Sequence, residues 1–239
     1  MDMTQLAVVS IVTVAGFVRG TTGFGGAMLM SPILSILIGP VPTVVTALLL
    51  ETAAALVMFP EAFPQARWRT LLYLILPAVF TVPLGGYLLL TLDPAIARKL
   101  IAAVVVIFTT MLLFGVRYTG SPRVLTSVAL GSVVGALLGA TSVGAPPVIL
   151  YLLSGPDPAA VTRANLTIFV TAISAIGLVM LAVAGAISAT LAMSAIALCI
   201  PYLLATWLGG KFFARLSDTN VRRLALGVML SVGVASLFL

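Results

Sequence analysis

The sequence contains no histidine, a single cysteine, and only six carboxylates against twelve lysines and arginines. Each shortage removes a class of chemistry. Without histidine there is no Ser-His-Asp triad, no H-E-x-x-H zinc site and no imidazole proton relay. Cys199 stands alone within an apolar run, cannot form an internal disulfide, and reads as a packing residue. The aspartates Asp2, Asp93, Asp157 and Asp218 fall at the chain end or between apolar runs, so a buried catalytic aspartate pair is missing as well. Enzymatic readings therefore lose their residues, and no metal or cofactor is expected.

What remains is apolar. Of 239 residues 62% are hydrophobic and 8% charged, and the mean hydropathy is +1.27, whereas a soluble globule carries about 25% charged residues. Apolar segments fall at roughly 6 to 38, 42 to 59, 70 to 90, 100 to 116, 124 to 153, 164 to 183, 187 to 208 and 221 to 239, against about 20 residues needed for one crossing. The expectation is one all-α polytopic membrane domain over 1–239. The net charge of +6 sits at the ends of apolar runs, where it orients spans; no basic face is offered to nucleic acid. The start, MDMTQLAVVS, lacks the basic stretch of a cleavable signal peptide and should stay as the first membrane segment.

Two apolar segments are interrupted alike: GFVRGTTGFGGAMLMSP from Gly16 to Pro32, and GALLGATSVGAPPVILY from Gly135 to Tyr151. As straight helices the whole runs 6 to 38 and 124 to 153 that contain them would be about 45–50 Å long, well beyond a hydrocarbon core of about 30 Å. They must tilt steeply or fold back. The two are also related. At one constant offset Gly16, Gly20, Thr22 and Gly25 fall on Gly135, Gly139, Thr141 and Gly144, and Thr52-Ala53 on Thr171-Ala172. At a slightly larger offset Pro77 falls on Pro201 and Leu84-Gly85-Gly86 on Leu208-Gly209-Gly210. An internal duplication with a small insertion accounts for this order, with one repeat at about 1–118 and the other at about 119–239.

Loop cations choose the topology. If both interrupted segments are re-entrant, Arg67, Arg69, Arg117, Arg123, Arg163, Lys211, Arg215, Arg222 and Arg223 share one face, and only Arg98 and Lys99 lie opposite. If every segment crosses, the bias is weak. The positive-inside rule thus favours three spans plus one glycine-broken hairpin per half, hence inverted repeats with both termini outside the cytoplasm.

Two opposed hairpin tips would meet near the midplane. Their second legs, beginning near Phe24 to Ala27 and near Val143 to Pro147, would present unpaired backbone N–H groups and positive helix ends to one cavity, which suits an anion. Gly23, Gly25, Gly26 and Gly144 would let it approach the backbone, beside Phe24 and Val143, and Thr21, Thr22, Thr141 and Ser142 would add hydroxyls. Gly16, Gly20, Gly135 and Gly139 fit close helix packing instead. Arg19, where the second half has Leu138, is either the substrate's counter-ion or half of a structural ion pair. Glu51, with Val170 at its repeat position, is a candidate proton carrier, unless pairing with Arg19 holds it charged. Asn165, matching Thr46, is expected to face the same cavity.

GFVRGTTGFGG and GALLGATSVGAPP, with VTALLLETAAAL and TRANLTIFV following them, resemble the paired glycine-rich motifs of the TauE/SafE sulfite-exporter-like permease family over nearly the whole chain. Arg19 and the TTGFGG wording depart from the commonest family form. The resemblance implies a bacterial inner-membrane permease for sulfite, sulfonates or related organosulfur anions, often exporting them. The partners implied are a small inorganic or organosulfur anion and membrane lipid, with a proton as candidate coupling ion and a second copy of the chain as candidate neighbour. Two alternatives stand beside it: an anion channel, separable by turnover and saturation, and a non-transporting scaffold subunit, whose hairpin tips would pack without polar space.

Overall fold

A computed structural model describes residues 2–116, 123–153, 155, 157–213 and 218–238. Arg117 and Arg215, which the topology argument used, lie outside them, as does the side chain of Arg222. Among the described residues there is no strand, and the α-helices are α1 (Met3–Thr22), α2 (Gly26–Leu37), α3 (Pro40–Ala62), α4 (Trp68–Thr91), α5 (Pro94–Leu113), α6 (Val124–Thr141), α7 (Ala145–Leu152), α8 (Ala159–Val183), α9 (Ala189–Phe213) and α10 (Asp218–Phe238), with a 3-10 turn at Phe63–Gln65. Seven of these are long and apolar enough to cross a membrane: α1, α3, α4, α5, α6, α8 and α9. Large apolar side chains such as Phe80, Ile107, Ile200 and Leu204 point outward, as lipid requires.

The breaks have local causes. Gly23, at φ 77°, ends α1 with its N–H on the Arg19 carbonyl at 2.9 Å, and Gly25, at φ 94°, starts α2. A left-handed residue closes a helix most cheaply when it is glycine. The second break uses Ser142 at φ 61°, a non-glycine in the same region, and α7 then begins with prolines in its first turn. Pro94 follows the Asp93 cap, whose carboxylate accepts the Ala95 N–H at 2.8 Å; α5 therefore begins ahead of the apolar run expected at 100.

Both interrupted segments turn back on themselves. Thr4 and Gln5 of α1 line one pocket with Ile38 after α2 and Pro42 of α3, so α1 begins where α2 ends. In the second half the Ser127 hydroxyl of α6 meets the Tyr151 hydroxyl of α7 at 2.6 Å, which brings those two ends together as well. The legs are unequal. α1, with 20 residues, is about 30 Å long and α2, with 12, about 18 Å, so the first leg is span-length on its own.

Glycines set the main crossings. Gly16 lies against Tyr202 and Ala205 and Gly20 against Thr206 and Gly210, so α1 runs parallel to α9; Gly131 lies against Leu74 and Gly139 against Val82 and Gly86, so α6 runs parallel to α4. A Cβ on Gly20 would stand 2.0 Å from the Thr206 carbonyl oxygen, and one on Gly139 2.2 Å from that of Val82. This is the close packing expected for these residues. Since α4 starts where α3 ends, α6 starts at the end of the bundle opposite to the start of α1. Arg67 confirms that placement: it pairs with Asp157 at 2.6 Å, joining the α3–α4 connection to the start of α8. α3 packs on α8 and α5 on α10, closing the bundle.

Candidate functional site

The two breaks meet. The Ser31 hydroxyl of α2 bonds the Ser142 hydroxyl at 2.8 Å, and a cavity of only 20 Å³ between the tips is lined by Arg19, Phe24, Gly25, Glu51, Leu138, Ser142, Val143 and Gly144 among others. Room for about one water is all it offers.

At its centre Arg19 and Glu51 pair, Nε to Oε2 at 3.0 Å, with 6% and 7% of their residue surfaces exposed. Arg19 sits in the last turn of α1, where a cation is favoured by the helix dipole, and its guanidinium also donates to the Gly23 carbonyl. Glu51 lies eleven residues into α3, level with the start of α2. Its Oε1 accepts the Ala27 N–H at 3.1 Å and the Tyr202 hydroxyl at 2.9 Å. Tyr202 is wholly buried. It was not among the sequence candidates, because a tyrosine inside an apolar run looks like packing; only its repeat neighbour, Pro201 against Pro77, marked the segment.

The remaining candidates divide. A Cβ on Gly26 would come 2.2 Å from the Tyr202 hydroxyl oxygen, on Gly25 2.4 Å from Met229 Cε, and on Gly144 2.9 Å from Leu138 Cβ. The space above these three glycines is thus taken by protein atoms. Above Gly23 nothing lies within 4 Å. Thr22 and Thr141 spend their hydroxyls on the carbonyls of Val18 and Leu137, and each also accepts a backbone N–H, from Phe24 and Val143, so they shape the turns. Val143 is buried beside them. Asn165 is placed elsewhere than expected: its Oδ1 accepts the Arg67 N–H at 2.8 Å, fixing the α3–α4 connection, and α8 instead sends Val170 and Ser174 to the tips. The offset that paired Asn165 with Thr46 matched sequence positions, not directions of side chains.

Beside the tips lies a larger space that no motif announced. A vestibule of 520 Å³ runs between α1, α3, α8 and α9, lined by Arg19, Thr21, Gly23, Arg163, Thr206 and Lys211 among others. Among the described residues no carboxylate lines it, though Glu61 shares a neighbouring pocket with Arg163. Lys211 stacks its ammonium 3.7 Å from the centre of the Trp207 ring, which leaves its charge available. Arg163, read from sequence as a topology anchor only, faces the same space. On the far side of the Tyr202–Glu51–Arg19 contact, between α1, α2, α3 and α9, lies a second pocket of 470 Å³ lined, among the described residues, by no charged one.

Seven span-length apolar helices with apolar outer faces make a multi-pass membrane protein, and interrupted helices meeting over a buried charged pair are an arrangement that transporters use. A family profile described as Sulfite exporter TauE/SafE matches residues 8–236. The chain belongs to that family, a family of transporters. No curated protein and no solved structure matches it.

Proposed function

We propose that the chain is an alternating-access permease for small anions, with sulfite, sulfonates or related organosulfur anions as substrates and export as the direction. The observation that carries this reading is the vestibule: Arg163 and Lys211 face it with no lining carboxylate among the described residues, and Arg19, paired with Glu51, stands at its inner end against the hairpin tips. Converging cations with low-dielectric walls concentrate anions. Gly23, open to the same space, supplies bare backbone, while the Thr21 hydroxyl beside it is held by the Val18 carbonyl at 3.0 Å. A channel is disfavoured by the 20 Å³ constriction between the tips. A scaffold would pack its tips without polar space; these tips do close to about 20 Å³ around the Arg19–Glu51 pair, and what favours a permease is the cationic vestibule beside them.

In this reading the halves are inverted repeats. The opposite starting ends of α1 and α6 and the reciprocal pairings of α1 with α9 and α6 with α4 support it. One half rocking on the other would expose the tips alternately. Arg67, Arg69, Arg123, Arg163 and Lys211 gather at the end where α6 starts, so that end is assigned to the cytoplasm and the vestibule opens inward. Both termini are then outside; a single cysteine introduced at Thr4 of a Cys199→Ala protein should react with a membrane-impermeant maleimide in intact cells, and labelling only after lysis would reverse the orientation. For export, each negative charge leaving a cell that is negative inside gains about 2.3 kcal/mol per 100 mV.

The test is flux. Protein in liposomes should release trapped sulfite under an imposed potential, and no movement of sulfite, sulfonate or another small anion would end the proposal. Arg163→Gln with Lys211→Gln should raise KM severalfold with little change in kcat, and the effect should shrink as ionic strength rises, because screening removes long-range attraction.

A further inference from the structure

The Glu51 carboxylate holds the donor set that a small oxyanion would use. Its three partners are a guanidinium, Arg19; a phenol, Tyr202; and a backbone N–H in the first turn of α2, that of Ala27. Guanidinium forks and helix N-termini are the protein's usual receivers of sulfonate- and phosphate-like groups. Gly26 keeps this spot open, since a Cβ there would stand 2.2 Å from the Tyr202 oxygen and 2.7 Å from Glu51 Oε1. Beside the carboxylate only 20 Å³ is free. A four-heavy-atom oxyanion and the ionised Glu51 side chain therefore exclude each other.

We propose that Glu51 is a tethered stand-in for the transported oxyanion: it fills the anion's place in the resting protein, and an R–SO3⁻ group binds Arg19, Tyr202 and the Ala27 N–H only as Glu51 takes up a proton and withdraws. The inference rests on the permease reading and adds to it the site's occupant and a linkage. Charge balances in both states: Arg19 faces one negative charge, first that of Glu51 and then that of the anion, and the released carboxylate oxygen takes one proton from water. The titratable groups facing Glu51 are Arg19 from α1 and Tyr202 from α9. α2 and α8 present Ala27, Met28, Val170 and Ser174 there, and the second tip presents Leu138 and Ser142, none of them titrating. The next cations, Arg163 and Lys211, lie across the vestibule.

Methanesulfonate, which stays ionised throughout the range, is the probe. Calorimetric titration of the purified full chain, at about pH 5.5 and about pH 7.5 in buffers of different ionisation heat, should show wild-type affinity falling with pH and about one proton taken up per anion bound. Glu51→Gln should bind equally at both pH values, without proton uptake, and about tenfold or more tighter than wild type at the higher pH. Glu51→Ala, which also removes the side-chain acceptor, should behave likewise. A purely structural Glu51 would give variants whose melting temperature falls and is not restored by the anion; here methanesulfonate should raise the melting temperature of Glu51→Gln more than that of wild type. Wild-type binding independent of pH, weaker binding by both variants, or no methanesulfonate binding by any of the three proteins would overturn the proposal. Sulfite flux in liposomes with any of those results leaves the permease reading standing, and its absence removes both.

Discussion

Arg19→Gln should lower anion affinity about ten- to hundredfold, the equivalent of about 1.5–3 kcal/mol for a hydrogen bond to a charged group. The same change should destabilise the protein, because it leaves Glu51 buried without its cation, and removing one partner of a buried pair costs about 3–5 kcal/mol. The two effects separate in the double variant. Arg19→Gln with Glu51→Gln removes both charges, so thermal stability should return most of the way while flux stays lost. A double variant that transports sulfite as wild type does would make the pair purely structural. The geometry argues against that outcome, since Arg19 touches Glu51 on one side and lines the vestibule on the other. A pair serving stability alone gains nothing from standing at the inner end of a cationic cavity.

Gly20→Val and Gly139→Val are expected to have the largest effect on assembly. The nearest atoms to an added Cβ are backbone: the Thr206 carbonyl oxygen at 2.0 Å for Gly20, and the Val82 carbonyl oxygen at 2.2 Å for Gly139. A flexible side chain could yield, but a helix backbone must translate as a whole. Overpacking typically costs about 1–3 kcal/mol, and at a backbone crossing the upper end or beyond is expected. Moving α1 off α9 also pulls Arg19 and Tyr202 apart. Thus Gly20→Val should lose both monodisperse protein in size-exclusion chromatography and anion flux. Gly227→Val serves as the control, because no atom lies within 4 Å of its Cβ position; comparable losses there would show that glycine itself, and not the crossing, is what matters.

The helices and the two breaks were legible in the sequence because apolar runs of span length, glycine pairs and prolines report burial in lipid and local backbone preference. The breaks were expected near Phe24 to Ala27 and Val143 to Pro147, and α2 and α7 begin at Gly26 and Ala145. The Arg19 and Glu51 pairing was open and is now seen. Tyr202 and the vestibule were not legible, since both depend on α9 lying beside α1, a contact between distant segments that no local pattern encodes. Asn165 failed for a related reason: repeat matching fixes register along a helix, but a buried amide goes to whichever backbone group lacks a partner, here the Arg67 N–H.

The pairing of α1 with α9 also orders events in time. α1 is made well before α9, so it must wait in the bilayer for its glycine-matched partner. At about 5–20 residues per second that delay is roughly ten seconds or more. Glu51 follows α1 closely and can neutralise Arg19 during the wait, whereas Tyr202 and the wall of α9 come later. The ion pair at the heart of the finished protein is thus available to α1 before α9 is, and pairing lowers the cost of holding Arg19 in lipid. Variants of Glu51 should then accumulate to a lower level than wild type, while the fraction that completes folding binds the anion as described above.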